Sequence, residues 1–443
     1  MSSHSPRVYL NTPDMADPIG VTLGTDGKYR LLVSSNGAAT SPSSPAVDSF
    51  GRSRASTPTS IFDSKQVFDN QPLLFAEYTA SGGSTSYQQS RASTSLLSGT
   101  SNGGRALRQT KRYFNYQPGK SQLIFTTYNF HGEQANVSKR VGYFDDSDGI
   151  FLELNESLAG DPVYSIVIRS SVTGATTPIS VPQSGWNIDP LDGTGPSGKA
   201  LNPNAACILI IDFEWLGVGQ VRVGFDFGGE TIYAHRFSHS NEVTSVYMRT
   251  PNLPVRWEIV NTAAASGTPN MEAICCSVQS EGGLNPLSVQ RTISRGAVGA
   301  NVDTTLRSML AIRLKPSYNR ATVLPLLASA ITTGSSNYLG QLILNPTFGT
   351  TPTWTNVLNS PIQYSTTAST LANGTVMSEF YGISTSPGKS GSASLTNTAD
   401  LTSVLTLASD YAGTQDILAL GVRTLSGSDT AAMFAIMDWL ELL

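Results

Sequence analysis

From about residue 105 to 280 the chain alternates short apolar runs with Gly, Pro, Asn and Asp, the spacing of strands separated by tight turns. The pattern predicts strands over 121–130, 139–144, 149–153, 164–169, 206–215, 220–227, 231–237, 245–249, 255–260 and 271–278. In 220–227, Val221, Val223, Phe225 and Phe227 share one face while Arg222, Gly224 and Asp226 share the other. That period of two marks a sheet with one solvated side. Gly228 and Gly229 then turn the chain into 231–237 as a hairpin. Short strands with turns between them predict an all-β sandwich.

Residues 1–104 are dominated by Ser, Thr, Gly, Asn and Pro, with apolar islands only at 20–33 and 72–78. Asp26-Gly27 between two strand-forming runs predicts a hairpin, because such a turn needs positive φ. The remainder reads as an extended arm: a stretch as polar as 79–104 buries too little apolar area to fold alone, and either docks on another surface or stays disordered. Residues 281–305 lack apolar periodicity and read as a linker. Beyond them, 306–315, 322–328, 339–344, 353–358, 378–383, 417–425 and 431–442 predict a second β domain over 306–443. The tail AAMFAIMDWLELL also carries Met433, Met437 and Leu440 at helical spacing, but Phe434, Ile436, Trp439 and Leu442 blur that stripe, which favours a strand. In the central region 105–280, strand, tight turn, strand and then the strand of Trp257 predict a jelly roll of the concanavalin or laminin-G type. The expected fold is therefore all-β: a jelly-roll sandwich with an extended N-terminal arm and a second C-terminal β domain.

Composition narrows the function. Only 14% of the 443 residues are charged, with a net charge of −4, while 102 are Ser or Thr. A strongly basic nucleic-acid binder and a charged coiled coil are both excluded. No apolar run approaches the length of a membrane-spanning helix, and the opening MSSHSPRVYLNTPD does not read as a secretory signal. Cys207, Cys275 and Cys276 supply neither a disulfide framework nor a CxxC pair. Cys207 reads as a small buried hydrophobe, and vicinal Cys275 and Cys276 on a strand point to opposite faces, so that at most one is buried.

Several motifs have a chemical and a plain reading. Gly193 to Lys199 has the spacing GxxxxGK, but Ala200 replaces the hydroxyl that holds magnesium, and neither a strand before it nor a helix after it is indicated. Pro387-Gly388-Lys389-Ser390 is one residue out of register with Gly382. Asp145, Asp146 and Asp148, with Glu153, gather oxygen ligands near Gly149 and are weak candidates for an exposed calcium site, against a solvated hairpin turn. Asp189 and Asp192 have the same standing. His235 and His239, four apart on a strand, lie too far apart to share a metal and read as hydrogen-bonded side chains. Arg105, Arg108, Lys111 and Arg112 beside Tyr113, Phe114 and Tyr116 form a basic and aromatic cluster, read as cations paired with a neighbour's carboxylates rather than with phosphate. No catalytic motif and no cofactor fingerprint is present, so no cofactor is expected.

The segments RQTKRYFNYQPGKSQLIFTTYNF (108–130), KRVGYFDDSDGIFLEL (139–154), WNIDPLDGTGPSG (186–198), IDFEWLGVGQVRVGF (211–225) and YMRTPNLPVRWEI (247–259) resemble a family of structural virion proteins of tailed bacteriophages from aquatic viruses. The similarity runs from about residue 50 into the C-terminal region. It implies a non-enzymatic virion component, made in the bacterial cytoplasm. Its implied partners are copies of itself and other virion proteins, with host-surface glycan as a further candidate and no nucleic acid or membrane. Tail or baseplate periphery, as fibre, adaptor or attachment protein, is the first placement; capsid decoration or head fibre is the second. A virion glycan depolymerase is the enzymatic alternative, and Asp145, Asp146, Asp189 and Asp192 are its only loop carboxylates.

Overall fold

The computed structural model describes residues 21–23, 29–31, 57–156, 162–283, 287–334, 336–383, 391–395, 406–425 and 431–442. The chain divides into two compact units, Met1–Ser56 and Thr57–Leu443. In the first, Val21–Leu23 pairs antiparallel with Tyr29–Leu31, Leu23 opposite Tyr29, which is the hairpin expected around Asp26-Gly27. The rest of the expected arm up to residue 56 lies outside the described residues.

The second unit is all-β. Among the described residues, one sheet runs in the order Thr177–Pro182, Pro162–Ser170, Gly149–Glu156, Val137–Phe144, Val255–Asn261, Arg105–Thr110, Phe75–Ala80. The sheet facing it runs Thr231–Phe237, Val221–Asp226, Ala206–Phe213, Ser121–Asn129, Asn270–Glu281, Ser93–Leu97, Ser84–Gln88, and Pro58–Lys65 pairs onto Asn270–Glu281. Strands distant in sequence lie side by side in both sheets, as in a jelly roll. Alternate residues fill one core: Val141, Tyr143, Ile150, Leu152, Ile166 and Trp257 from the first sheet meet Ile124, Leu209, Ile211, Val221, Val223 and Phe225 from the second. Gly149 is required where the 145–148 turn folds the chain back, since a Cβ there would fall 2.1 Å from that of Phe144.

Three expectations are corrected. Residues 58–97 are no arm, because Pro58–Lys65, Phe75–Ala80, Ser84–Gln88 and Ser93–Leu97 are built into both sheets. Buried amides here have partners in place: Gln66 donates to the carbonyls of Ala273 and Ile274 and accepts from Thr94. Thr is a good strand former whose polarity hides it from a search for apolar runs. Within 281–305, Ser288–Ser294 and Ala300–Val302 are strands paired to Ala431–Leu442, not linker. Residues 245–249 are a turn-rich segment rather than a strand, although Tyr247 and Met248 reach the core.

The C-terminal part is itself two facing sheets. Ser288–Ser294, Ala431–Leu442, Val323–Thr332 and Gly391–Leu395 form one. Thr355–Asn356, Ile362–Ser365, Arg307–Leu314, Ile417–Thr424, Tyr338–Leu344 and Thr375–Gly382 form the other. Met309, Leu310, Leu342 and Leu420 of the second sheet pack on Ala328, Met433, Met437 and Trp439 of the first. The tail is thus the expected strand. Cys276 is buried while Cys275 is only half-buried, as opposite faces require, and Cys207 packs half-buried against the sandwich core.

Lys139 occupies an inward position between Val137 and Val141. Its Nζ donates to the carbonyls of Phe130 at 2.6 Å and Gly132 at 2.8 Å. Burial pulls its pKa from 10.5 down to about 8, against a weaker opposing pull from Glu133. A lysine pKa lowered by folding opposes the folded state wherever the unfolded lysine is protonated, and this opposition fades as pH rises from about 8 to 10.5. Lys139 alone is therefore expected to add about 3 kcal/mol of stability over that window. Buried Cys276, whose thiol burial pushes up from 9.0, works against the rise from pH 9.0, and buried Tyr128, Tyr143 and Tyr164, whose pKa values burial raises, reverse the trend above the ordinary tyrosine value of 10.0. Denaturant midpoints measured from pH 7 to 11 should rise and then fall, and Lys139→Met should abolish the rise.

Candidate functional site

The face of the first sheet turned away from the sandwich core carries the chemistry. Along Val137–Phe144, Gly149–Glu156 and Val255–Asn261 the alternate residues outside the core include Arg140, Glu153, Arg256 and Glu258 beside the apolar Phe144, Phe151 and Val260, and register sets them in rows. Glu153 lies opposite Arg140, and Arg140 opposite Glu258, so two carboxylates flank one guanidinium across three strands. Arg140 Nε donates to Glu153 Oε1 at 2.6 Å, and its Nη1 stands 3.8 Å from Glu258 Oε2. Glu258 also accepts from Arg105 Nε at 2.6 Å. A groove of about 480 Å3 opens here, lined among others by Arg105, Arg140, Glu153, Phe151, Arg169 and Ser180.

One end of the groove is closed by an ion-pair clasp. Asp146 Oδ1 accepts from Arg256 Nη1 at 2.7 Å and from Arg105 Nη2 at 3.1 Å, and Oδ2 accepts from the Tyr411 hydroxyl at 2.8 Å. Tyr411 accepts in turn from Arg105 Nη1 at 2.6 Å, and its ring packs on Tyr78 with centroids 4.5 Å apart. Tyr411 belongs to the C-terminal part, so the clasp ties that part to the outer face of the sandwich. Arg320 to Asp145, Lys111 to Asp416 at 3.4 Å, and Thr322 to the Tyr113 carbonyl at 3.0 Å reinforce the same junction. Burial opposes the charge on Asp146, but Arg256, Tyr411 and Arg105 outweigh it and hold the carboxyl at about 2. For Arg105, burial again opposes the charge, and Glu258, Tyr411 and Asp146 prevail to hold it above its ordinary value.

A carboxylate pKa lowered by folding stabilises above its unfolded value, and that stabilisation is lost as pH falls through the folded value. The clasp is therefore expected to hold above pH 3.8 and release as pH falls toward 2. Hydrogen exchange over 406–416 should quicken in that window, and Asp146→Asn should quicken it at neutral pH. Unchanged exchange in the variant would show that the junction does not depend on Asp146.

At Asp145, Asp146 and Asp148, the calcium candidates, the cations are arginines, and Asp145 and Asp148 are buried rather than solvated. Asp145 pairs with Arg320 and accepts the amides of Ser147 and Asp148; Asp148 accepts from Ser171 and from the Arg249 amide. Among the described residues no cluster of His, Cys, Asp and Glu could hold a metal. Asp189 accepts the amides of Leu191 and Ser197, and Asp192 the amide and hydroxyl of Thr194, so both brace their own loop. Residues 193–199 form a turn closed by the Gly193 amide on the Lys199 carbonyl, with Asp192 and Ala200 bridged, and no helix follows to receive a phosphate. Residues 387–390 lie outside the described residues.

His235 accepts the Asn187 amide at 3.2 Å and His239 meets the Gly219 carbonyl at 2.7 Å, with the Phe237 ring between them, as hydrogen-bonded side chains would. In the basic cluster, Arg105, Arg108 and Lys111 find carboxylates within their own chain, at Glu258, Glu77 and Asp416. Sequence reasoning missed Arg140, Arg169, Arg256 and Glu258. Their signal is the charged residue recurring at outward positions of otherwise apolar strands.

No family model and no curated protein matches the sequence. Among solved structures the chain is similar to a legume lectin-like domain from Entamoeba histolytica, at 7% identity and TM-score 0.31, covering 50% of this chain and 97% of that one. It is also similar to a glycoside hydrolase family 16 endo-glucanase from Bacteroides ovatus, at 10% identity and TM-score 0.34, covering 49% and 99%. The CBM2 module of the evolved Dit of Lactobacillus casei BL23 phage J-1 matches at 10% identity and TM-score 0.34, covering 52% and 100%. At these TM-scores the likenesses carry no argument for activity or ligand.

Proposed function

We propose that this chain is a non-enzymatic structural component of a tailed-phage virion, placed at the tail or baseplate periphery, where its sandwich turns the polar groove outward. The observation that carries the structural half is the clasp. Asp146, Glu153 and Glu258, the carboxylates of the groove, are each engaged by at least one arginine, and Asp146 also takes the Tyr411 hydroxyl of the C-terminal part. A glycan-cutting site needs one carboxyl kept as an acid and another free as base or nucleophile, and guanidinium partners work against the first requirement. The particle itself is supported by the resemblance of 108–130 and the four later segments to virion proteins. Phe68, which is 90% exposed and follows exposed Val67, offers an apolar knob of the kind that a neighbouring copy covers in an assembly.

Gold labelling of intact particles with an antibody against residues 306–443 tests the placement. Gold at the tail end is the expected result, gold over the head would replace it with capsid decoration or head fibre, bare intact particles that label once disrupted would overturn the peripheral placement, and particles bare both intact and disrupted would overturn the virion reading. Cleavage of host polysaccharide by the purified chain, lost in Glu153→Gln or Glu258→Gln, would overturn the non-enzymatic part.

A further inference from the structure

The charges around the groove do not balance. Arg105 is filled by Glu258, Asp146 and Tyr411, and Arg256 by Asp146 and Gln109. Arg140 uses Nε on Glu153, while its Nη1 lies 3.8 Å from Glu258, too far for a hydrogen bond. Arg169 pairs with no carboxylate among the described residues. Its Nη1 donates to the Asp145 backbone carbonyl at 2.8 Å, and the guanidinium lies 4.8 Å from the centroid of the Phe151 ring. Three arginines and three carboxylates line the groove, but Asp146 is shared with Arg256, which is not part of the lining, so four guanidiniums meet three carboxylates and the one with no carboxylate partner is Arg169. Burial, then repulsion from Arg140, works against that charge, and an incoming anion would relieve the second.

The rest of the lining suits a sugar. Thr176 and Ser180 bring hydroxyls and Pro178 brings exposed apolar surface for the C–H face of a ring, over a floor in which Phe151 and Val167 are buried. The volume of about 480 Å3 lies within the roughly 300–1,000 Å3 usual for small-ligand sites. A phosphate dianion would bring two charges to a surplus of one, beside Glu153 and Asp146, whereas a single carboxylate matches it.

We propose that this groove binds an acidic oligosaccharide, with a uronate carboxylate held between Arg169 and Arg140 and the sugar ring against Pro178 and the hydroxyls of Thr176 and Ser180. The proposal rests on the virion reading only for its setting, as the ligand that the outward face would meet on a host.

Calorimetric titration of the full chain with tetragalacturonate, with uncharged maltotetraose as control, tests it. Galacturonate should bind, more weakly as salt rises, and maltotetraose should bind at least about tenfold less tightly, the loss expected for one charge-assisted contact. Arg169→Gln strands no carboxylate and should lower galacturonate affinity by about tenfold or more. Ser180→Trp, on the exposed edge strand Thr177–Pro182, should block the groove without touching a cation. Absence of galacturonate binding, equal binding of both sugars, displacement by equimolar inorganic phosphate, or wild-type affinity in Ser180→Trp would overturn the proposal. Arg169→Gln at wild-type affinity would do the same. Gold labelling reads the virion setting separately: labelled particles without sugar binding remove the ligand alone, and sugar binding with bare particles removes the setting alone.

Discussion

Glu77→Leu is expected to cost about 3–5 kcal/mol, the penalty for stranding a buried charge. Arg108 is fully buried on the strand next to Glu77 and pairs with it, while its other contacts are the Asn70 carbonyl and the face of the Phe75 ring at 4.1 Å. Its Nε has no hydrogen-bond partner. Glu77 is itself held by Thr85 at 2.6 Å, so the carboxylate is fixed toward the guanidinium in advance. Without Glu77, no other carboxylate pairs with Arg108 among the described residues, and desolvation, which already pulls its pKa below the ordinary value, goes unopposed by the principal counter-charge. Adding Arg108→Met to Glu77→Leu should recover much of the loss, because an apolar pair removes the buried charge altogether. The measurement is the urea midpoint of the first unfolding transition. A loss under about 1 kcal/mol in the single variant would mean that water reaches Arg108 and that the pair is an ordinary surface one.

Trp439→Ala should be as damaging to the C-terminal module, at about 3–5 kcal/mol. The indole is fully buried in the middle of Ala431–Leu442, the strand that joins Ser288–Ser294 on one side to Val323–Thr332 on the other. Its Nε1 donates to Glu441 Oε1 at 2.8 Å, and the same oxygen accepts from Ser360. Truncation therefore opens a large cavity and also removes a partner from a buried carboxylate. Trp439→Phe, which keeps most of the volume, should cost less than half as much. Hydrogen exchange localises the effect: protection should fall over 431–442 and its two partner strands, and leave 137–144 as it was. Uniform loss across both modules would instead show that the clasp makes them unfold as one.

These two sites also show where sequence reading succeeds. The tail was legible as a strand because its apolar residues, from Phe434 to Leu442, spread over more than one helical face, and the structure places Trp439 and Met437 in the core. The face of 220–227 was legible too: Val221, Val223 and Phe225 are in the core and Arg222 and Asp226 are outside it. Glu77 and Arg108 are not legible as a pair, since they are 31 residues apart and sequence adjacency groups Arg108 with Arg105, Lys111 and Arg112. The polar strands between 58 and 97 escaped for a different reason, because Ser and Thr hydroxyls buried by hydrogen bonds look the same in a sequence as hydroxyls in water.

The sequence by itself determined the class of the fold, since alternation at a period of two dictates strands, and Asp26-Gly27 and Gly228-Gly229 dictate where they reverse. It also fixed which residues are too polar to form a core by themselves. Only the tertiary structure decided that Arg140 stands between Glu153 and Glu258, that Tyr411 reaches Asp146 across 265 residues, and that Arg169 is left without a carboxylate. The physical reason is register. A slip of one residue moves every side chain of a strand to the opposite face, so no local pattern can say which charges meet across a sheet until the whole core has chosen its alignment.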